Sequence, residues 1–200
     1  MSSSTHIART VSLKDRIVHA ASRLFTTEGY EALSMRRVAQ EAGCSQMAMY
    51  RHFANKEALV QHICAELYTQ FATRVNAEIG AEQDARTKLK RFIRAVLHFA
   101  EEYPDHYALI FLVRHPDPEV VATREELGRQ FLVGIAQIVQ DALPSASSKQ
   151  KVDTIVRRMM EVLHGTAALW IAHPQAYALT RQRTKDDVEA MWTFLLSATQ

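Results

Sequence analysis

The sequence predicts an all-α protein of about nine helices, with an N-terminal helix-turn-helix in a three-helix unit followed by a larger C-terminal helical body. Three observations predict this. Apolar residues recur every three or four positions through nearly the whole chain, the period of a helix with one buried face. No stretch alternates convincingly with the period of two that a half-buried strand shows. Gly (6) and Pro (5) are scarce in 200 residues, which makes collagen-like and turn-rich all-β architectures poor fits. With 48% hydrophobic and 23% charged residues, the composition is that of a folded domain, and the length is enough to bury a core without disulfides or metals.

The first helix starts at Ser12, whose spacing to Asp15 matches a capping box, and its inner face is Ile17, Ala20, Ala21, Leu24 and Phe25. Gly29, able to take a left-handed cap conformation, ends it. Ser34 caps a short second helix with Met35, Val38, Ala39 and Ala42 inward, and Gly43 breaks it. Ser45 caps a short third helix, residues 46–53. Asn55 caps a long fourth helix, running to about Gly80, on which Leu59, Ile63, Leu67, Phe71, Val75 and Ile79 recur at close to every four residues.

Leu89, Phe92, Ile93, Val96, Leu97 and Ala100 mark a fifth helix. Pro104 opens a sixth, carrying Tyr107, Ile110 and Phe111. Residues 114–118 read as a loop, with Asp117 and Pro118 as the start signal for a stripe of Leu127, Phe131, Ile135, Ile138 and Val139. After a linker at 144–148, Val152, Ile155, Val156, Met159, Leu163, Ala167 and Trp170 describe another long helix, which His173 and Pro174 end. The last stripe is Val188, Met191, Trp192, Leu195 and Leu196. The expected division is residues 12–56 and 57–200.

Several function classes find no support. Cys44 and Cys64 form no CxxC pair, which excludes a zinc ribbon or finger, and they read as small buried hydrophobes. The longest apolar runs, 110–113 and 167–172, fall far short of the roughly 20 residues of a membrane span. Residues 1–12 lack a signal core, so no membrane association and a cytoplasmic location are expected. The histidines show no HxxxH or HExxH, and no Gly-rich phosphate loop or GxSxG elbow occurs. Glu161 and His164 form a single Glu-x-x-His pair where di-iron bundles use two. No catalytic set, metal or cofactor is expected.

Charge is uneven. Residues 1–60 carry eight Lys/Arg against five Asp/Glu, for a net +3, while the remainder is at −1. An anion-facing N-terminal part is the expectation. Within it, residues 34–56 hold two short helices around a Gly-containing turn, the helix-turn-helix arrangement in which the second helix enters the DNA major groove. On that second helix Met49 and Phe53, four apart, face the core. Gln46, Met47, Ala48, Tyr50, Arg51 and His52 are left outward or flanking. Gln can bond adenine through two contacts, Met and Ala can touch a thymine methyl, and Tyr and Arg can reach phosphate or guanine. No acidic residue lies between Ala42 and Asn55, as a phosphate-facing surface requires. Lys56, at the start of the fourth helix, joins backbone N–H groups where a phosphate can sit. Ser34 and Ser45, at the two caps, and Arg36 complete the expected contact set.

Residues 16–60 closely resemble the DNA-binding domain of the tetracycline-repressor (TetR) family of transcriptional regulators. The residues that carry the likeness are Ala20, Ala21, Leu24 and Phe25, the corner at Gly29 and Tyr30, Ser34, Val38 and Ala39, and Ala42 and Gly43. Ser45, Tyr50, His52, Phe53 and the block Asn55, Lys56, Glu57 and Leu59 complete it. Met47 and Ala48 stand where Gly and Thr are frequent in the third helix of the family. The change removes a hydroxyl phosphate ligand and alters base preference.

The resemblance implies a homodimer that binds palindromic operator DNA, most often as a repressor, and that a small molecule releases by shifting the fourth helix. It implies a pocket in the body, for which Tyr68, Phe71, His98, Phe99, Tyr103, Tyr107, Phe111, Phe131 and His164 are the candidates. Taken singly, apolar residues at this spacing read as core. The family dimerises through its last two long helices. The stripes there are too apolar for helices covered by one body alone, which points to Val156, Leu163, Val188, Met191, Trp192 and Leu195 as the interface. The alternative is a helical-bundle enzyme or small-molecule carrier with an incidental helix-turn-helix. It gives no reason for keeping acids off residues 45–56.

Overall fold

The computed structural model describes residues 12–80, 82–113, 115–145 and 147–197, and these hold eleven helical elements and no strand. The chain divides into two compact units, Met1–Ile63 and Cys64–Gln200.

In the first unit, α1 (Leu13–Ala32) begins with the capping box: the Asp15 N–H donates to Ser12 Oγ at 3.1 Å and the Ser12 N–H donates to Asp15 Oδ2 at 3.3 Å. Gly29 kinks the helix instead of ending it. At φ 81° and ψ 177° it leaves helical space, and the chain resumes for one short turn, closed by the Leu33 N–H on the Tyr30 carbonyl. α2 (Met35–Glu41) is capped by Ser34 and stopped by Gly43, whose φ of 65° permits two bonds: Gly43 N–H to the Gln40 carbonyl and Cys44 N–H to the Ala39 carbonyl. This is the Schellman closure, which satisfies the last carbonyls of α2.

A Cβ at Gly43 would meet no atom within 4 Å, so the glycine serves the backbone alone. Gly43→Ala is therefore expected to cost about 1–2 kcal/mol by chemical denaturation, the penalty of the left-handed conformation. A much larger loss would reveal a steric contact.

α3 (Gln46–Tyr50) is shorter than residues 46–53. After Tyr50 the chain tightens: His52 and Phe53 both donate to the Met49 carbonyl, which turns Phe53 inward to 5% exposure beside fully buried Met49. Ile17, Ala21, Leu24, Leu33, Val38 and Ala39 complete this core. α4 (Lys56–Ile79) is continuous, begins within the first unit and continues into the second.

In the second unit α5 (Ala85–Glu102) is central, packing on α7 (Pro118–Ala142), α8 (Lys149–Ala172) and α10 (Arg181–Ser197). It buries Leu89, Phe92, Val96, Leu97 and Phe99 among others and leaves a narrow exposed stripe of Arg91, Arg94, His98 and Glu102. Asp84 caps α5, and its bonds from the Thr87 hydroxyl and N–H hold its carboxyl below the usual range. Charged pairs tie α10 to α5: Arg94 with Glu189 and Asp186, and Lys185 with Glu101.

The expected sixth helix is present as α6 (Pro104–Tyr107) followed without a break by a π-helical turn, Ala108–Leu112, closed by the Val113 N–H on the Ala108 carbonyl. A further short helix, α9 (Pro174–Tyr177), follows His173. These two four- and five-residue elements account for the difference from nine. No helix among the described residues is long and apolar enough to cross a membrane.

Candidate nucleic-acid interface and ligand cavity

α2 and α3 form the helix-turn-helix, and the inward anchors Met49 and Phe53 decide which side chains of α3 point out. Gln46, Met47 (71% exposed), Tyr50 (52% exposed), Arg51 and His52 are exposed, while Ala48 is half-buried. Ser34 Oγ accepts the Arg37 N–H and Ser45 Oγ accepts the Ala48 N–H, so both serines act as caps and keep a hydroxyl proton to donate.

The neighbouring charges sort into paired and free. Arg37 grips Glu28 through two bonds of 2.8 and 2.6 Å, which holds the Glu28 carboxyl below its usual range. Arg23 pairs with Glu41. Arg36 and Arg51 are exposed and form no ion pair among the described residues. Two cations and an acid-free α3 therefore face outward.

Lys56 is placed differently from a free phosphate contact. It is half-buried, its Nζ donates to the Tyr30 carbonyl at 2.7 Å and stands 3.6 Å from the centre of the Tyr30 ring. The Tyr30 hydroxyl donates to Glu57 at 3.4 Å. The Lys56 ammonium thus docks the start of α4 on the corner after Gly29, with two N–H donors left over.

The second unit contains a cavity of about 160 Å³ lined by α4, the π turn, α7 and α8. Of the residues expected there, Tyr68, Phe71, Phe111, Phe131 and His164 line it. Aromatic edges dominate: Tyr68 meets Phe111 and Phe131 edge-on at 5.8 and 6.2 Å, and Phe71 meets Phe111 at 5.0 Å. Tyr107 is fully buried behind this wall and reaches it through His164, its hydroxyl 2.7 Å from Nδ1.

Three expectations are corrected. His98 is exposed on the opposite side of α5 from the core stripe. Tyr103 lies at the surface, bonded to Arg74 and Glu102. Phe99 is buried against Phe71 at 5.2 Å but does not line the cavity, since Phe71 stands between.

Residues missed from the sequence are Ile110, Arg124, Gly128, Leu132 and Met160. A signal existed for Arg124: it stands four residues after buried Val120 and seven before Phe131, a cation on an apolar stripe. Gly128, Leu132, Met160 and His164 also line a wide groove between α7 and α8, so the cavity opens onto it.

The residues expected at the dimer interface differ in exposure. Val156, Leu163, Val188 and Trp192 are between 0% and 7% exposed within the subunit. α8 and α10 each pack on α5, Val156 also borders the groove between α7 and α8, and Trp192 lies with Leu89 and Ile93 at one small recess. Met191 is 37% exposed and Leu169, on α8, is 47% exposed, whereas the side chain of Leu195 lies outside the described ones. The Glu161 and His164 pair is divided between Arg157 and Tyr107. No three His, Cys, Asp or Glu among the described residues stand close enough to hold a metal ion.

Burial holds the His164 pKa below its ordinary value and raises that of Tyr107, so a neutral imidazole and a neutral phenol share the 2.7 Å hydrogen bond at Nδ1. An unfolded His164 takes up a proton near pH 6.5, where the folded one does not. Its contribution to stability is therefore complete above about pH 6.5 and lost as pH falls below it. Half-buried His106, shifted in the same direction, adds to the slope. Thermal melts at pH 7 and about pH 5 should show a drop that is smaller in His164→Gln, and an identical drop in both proteins would contradict the assignment.

Comparison with known proteins adds independent findings. The model for bacterial regulatory proteins of the tetR family matches residues 17–63, and that for the tetracyclin repressor-like C-terminal domain matches residues 89–199. The fatty acid metabolism regulator protein of Bacillus subtilis (strain 168) is 25% identical over 169 residues, covering 82% of this chain and 86% of that one. The nucleoid occlusion factor SlmA of Photobacterium profundum is 28% identical over 92 residues, and that match spans only 47% of its length. The crystal structure of a transcriptional regulator from Rhodococcus sp. Rha1 superposes with a TM-score of 0.78 at 17% identity, covering 94% of this chain and 97% of that one.

Proposed function

The chain belongs to the TetR family of bacterial regulatory proteins, and from that membership we propose that it binds an inverted-repeat operator as a homodimer and represses transcription until a small molecule fills the body cavity. It is a ligand-responsive transcriptional regulator and not an enzyme. The observation that carries the reading of the site is the outward face of α3, exposed, free of acids and flanked by the unpaired Arg36 and Arg51. Gln46, Met47, Ala48 and Tyr50 are assigned to base edges, and Ser34, Arg36, Ser45, Arg51, His52 and Lys56 to phosphates. Residues 12–56 read DNA and residues 57–200 sense the effector and dimerise. The site of action is the cytoplasm, where the DNA is.

The second copy is assigned to the apolar side chains still exposed on α8 and α10, Leu169 and Met191. Tyr68 and Phe71, on the cavity wall, and Lys56 belong to one continuous helix, α4, which supports its role as the connection between effector and DNA. The two named relatives have different roles, fatty acid metabolism and nucleoid occlusion, so neither name identifies the effector.

The test is selection of bound sequences from random duplex DNA at moderate salt, followed by gel shifts. Enrichment of an inverted repeat, with affinity falling steeply as salt rises, is the expected result. No enrichment over random DNA would overturn the reading.

A further inference from the structure

We propose that the cavity takes a one-ring aromatic monocarboxylate, its carboxylate held by Arg124, Tyr68 and His164; this rests on the reading of the body as the effector-sensing domain. Among the described residues, the cavity's side chains that can hydrogen-bond are Arg124, Tyr68 and His164, and no acid lines it. Arg124 is half-buried on α7, and its Nη1 donates to the carbonyls of Leu109 (3.3 Å) and Val113 (2.9 Å) around the π turn. Its Nε and Nη2 have no partner among the described residues, and no carboxylate lies within ion-pair distance. A guanidinium offers five N–H donors, and a partly desolvated one answered only by carbonyls is left with its charge uncompensated.

The Tyr68 hydroxyl is a second open donor. The residue is 5% exposed and its hydroxyl, which lines the cavity, makes no hydrogen bond among the described residues. Burial pushes its pKa up to about 12, which keeps the proton available to donate. His164, with Nδ1 engaged by Tyr107, has Nε2 as a third polar atom, a donor when the Tyr107 hydroxyl gives its proton to Nδ1. A ligand that only accepts, and that is negatively charged, answers all three.

Size and wall decide the rest of the molecule. The cavity's 160 Å³ is close to the roughly 150 Å³ of an apolar protein cavity that admits benzene. The edge-to-face ring contacts of Tyr68, Phe71, Phe111 and Phe131 leave a wall suited to one more aromatic ring.

Isothermal titration of the full chain with benzoate and phenylacetate, against benzyl alcohol, methyl benzoate and hexanoate, tests this. The aromatic acids should bind about tenfold or more tighter than the neutral aromatics, the ratio expected of charge-assisted bonds. Arg124→Gln should remove that preference. Tyr68→Phe, which keeps the packing, should weaken the acids about fivefold and leave the neutral compounds unchanged. Neutral compounds binding as tightly as the acids, or acids unaffected by Tyr68→Phe, would overturn the proposal. So would hexanoate binding as well as benzoate, or no acid binding at millimolar concentration to protein that still selects its DNA repeat. Failure to select DNA at all would strike the regulator reading instead, whatever the titration shows.

Discussion

Phe71→Ala should lower the stability of the C-terminal unit by about 3–5 kcal/mol, the largest effect expected of any single truncation here. Phe71 is 1% exposed and sits among four aromatic rings, with Tyr68, Phe99, Phe111 and Phe131 all within 6 Å centre to centre. Truncation removes the transfer free energy of the ring and leaves a hole, and each lost edge-on contact adds a further fraction of a kcal/mol. The hole adjoins the existing 160 Å³ cavity, so its neighbours cannot readily close it. Calorimetry should find a melting temperature about 10 °C lower, partly restored by benzene, which fills apolar holes of this kind. A loss below about 1.5 kcal/mol would mean that the surrounding rings collapse into the space.

Gln46→Glu should reduce operator affinity by about 100-fold while leaving the fold intact. Gln46 is exposed at the first position of α3, three residues before buried Met49. A carboxylate there meets a helix N-terminus, which favours it by about 0.3–1 kcal/mol, so the melting temperature should hold or rise. Against DNA the same charge faces phosphates and the acceptor edges of bases, and the donor that Gln brings to adenine is gone. Gel shifts and thermal melts of the same preparation separate the two effects. Retained affinity would remove Gln46 from the DNA face.

The helix-turn-helix was legible because its signals are local. Ser34, Gly43 and Ser45 each act on backbone groups within three or four residues, and Met49 and Phe53 declare the inner face by spacing alone. The body was legible as helices but not as a site. His98 and Phe99 are adjacent in sequence, and about 100° of helix rotation separates an exposed side chain from a buried one. Val156, Leu163, Val188 and Trp192 read as a surplus of apolar surface, because nothing local says that α8 and α10 both pack on α5 within one subunit. Arg124 was overlooked for the opposite reason: a charge on an apolar stripe is easily taken for solvent-facing. α9 and the π turn span four and five residues, too few for periodicity to register.

That π turn has an evolutionary consequence. It carries one residue more than the α-helical turn it replaces, and the surplus sits where Ile110 and Phe111 meet the cavity. Loss of a single codon within residues 108–112 would restore an ordinary helical turn and change which side chains that turn presents to the cavity. The contents of the cavity wall would change in one step, while the sequences of α5 and α7 on either side stayed as they are. A lineage can therefore reshape this cavity by changing the length of one short turn, without first accumulating substitutions in the core.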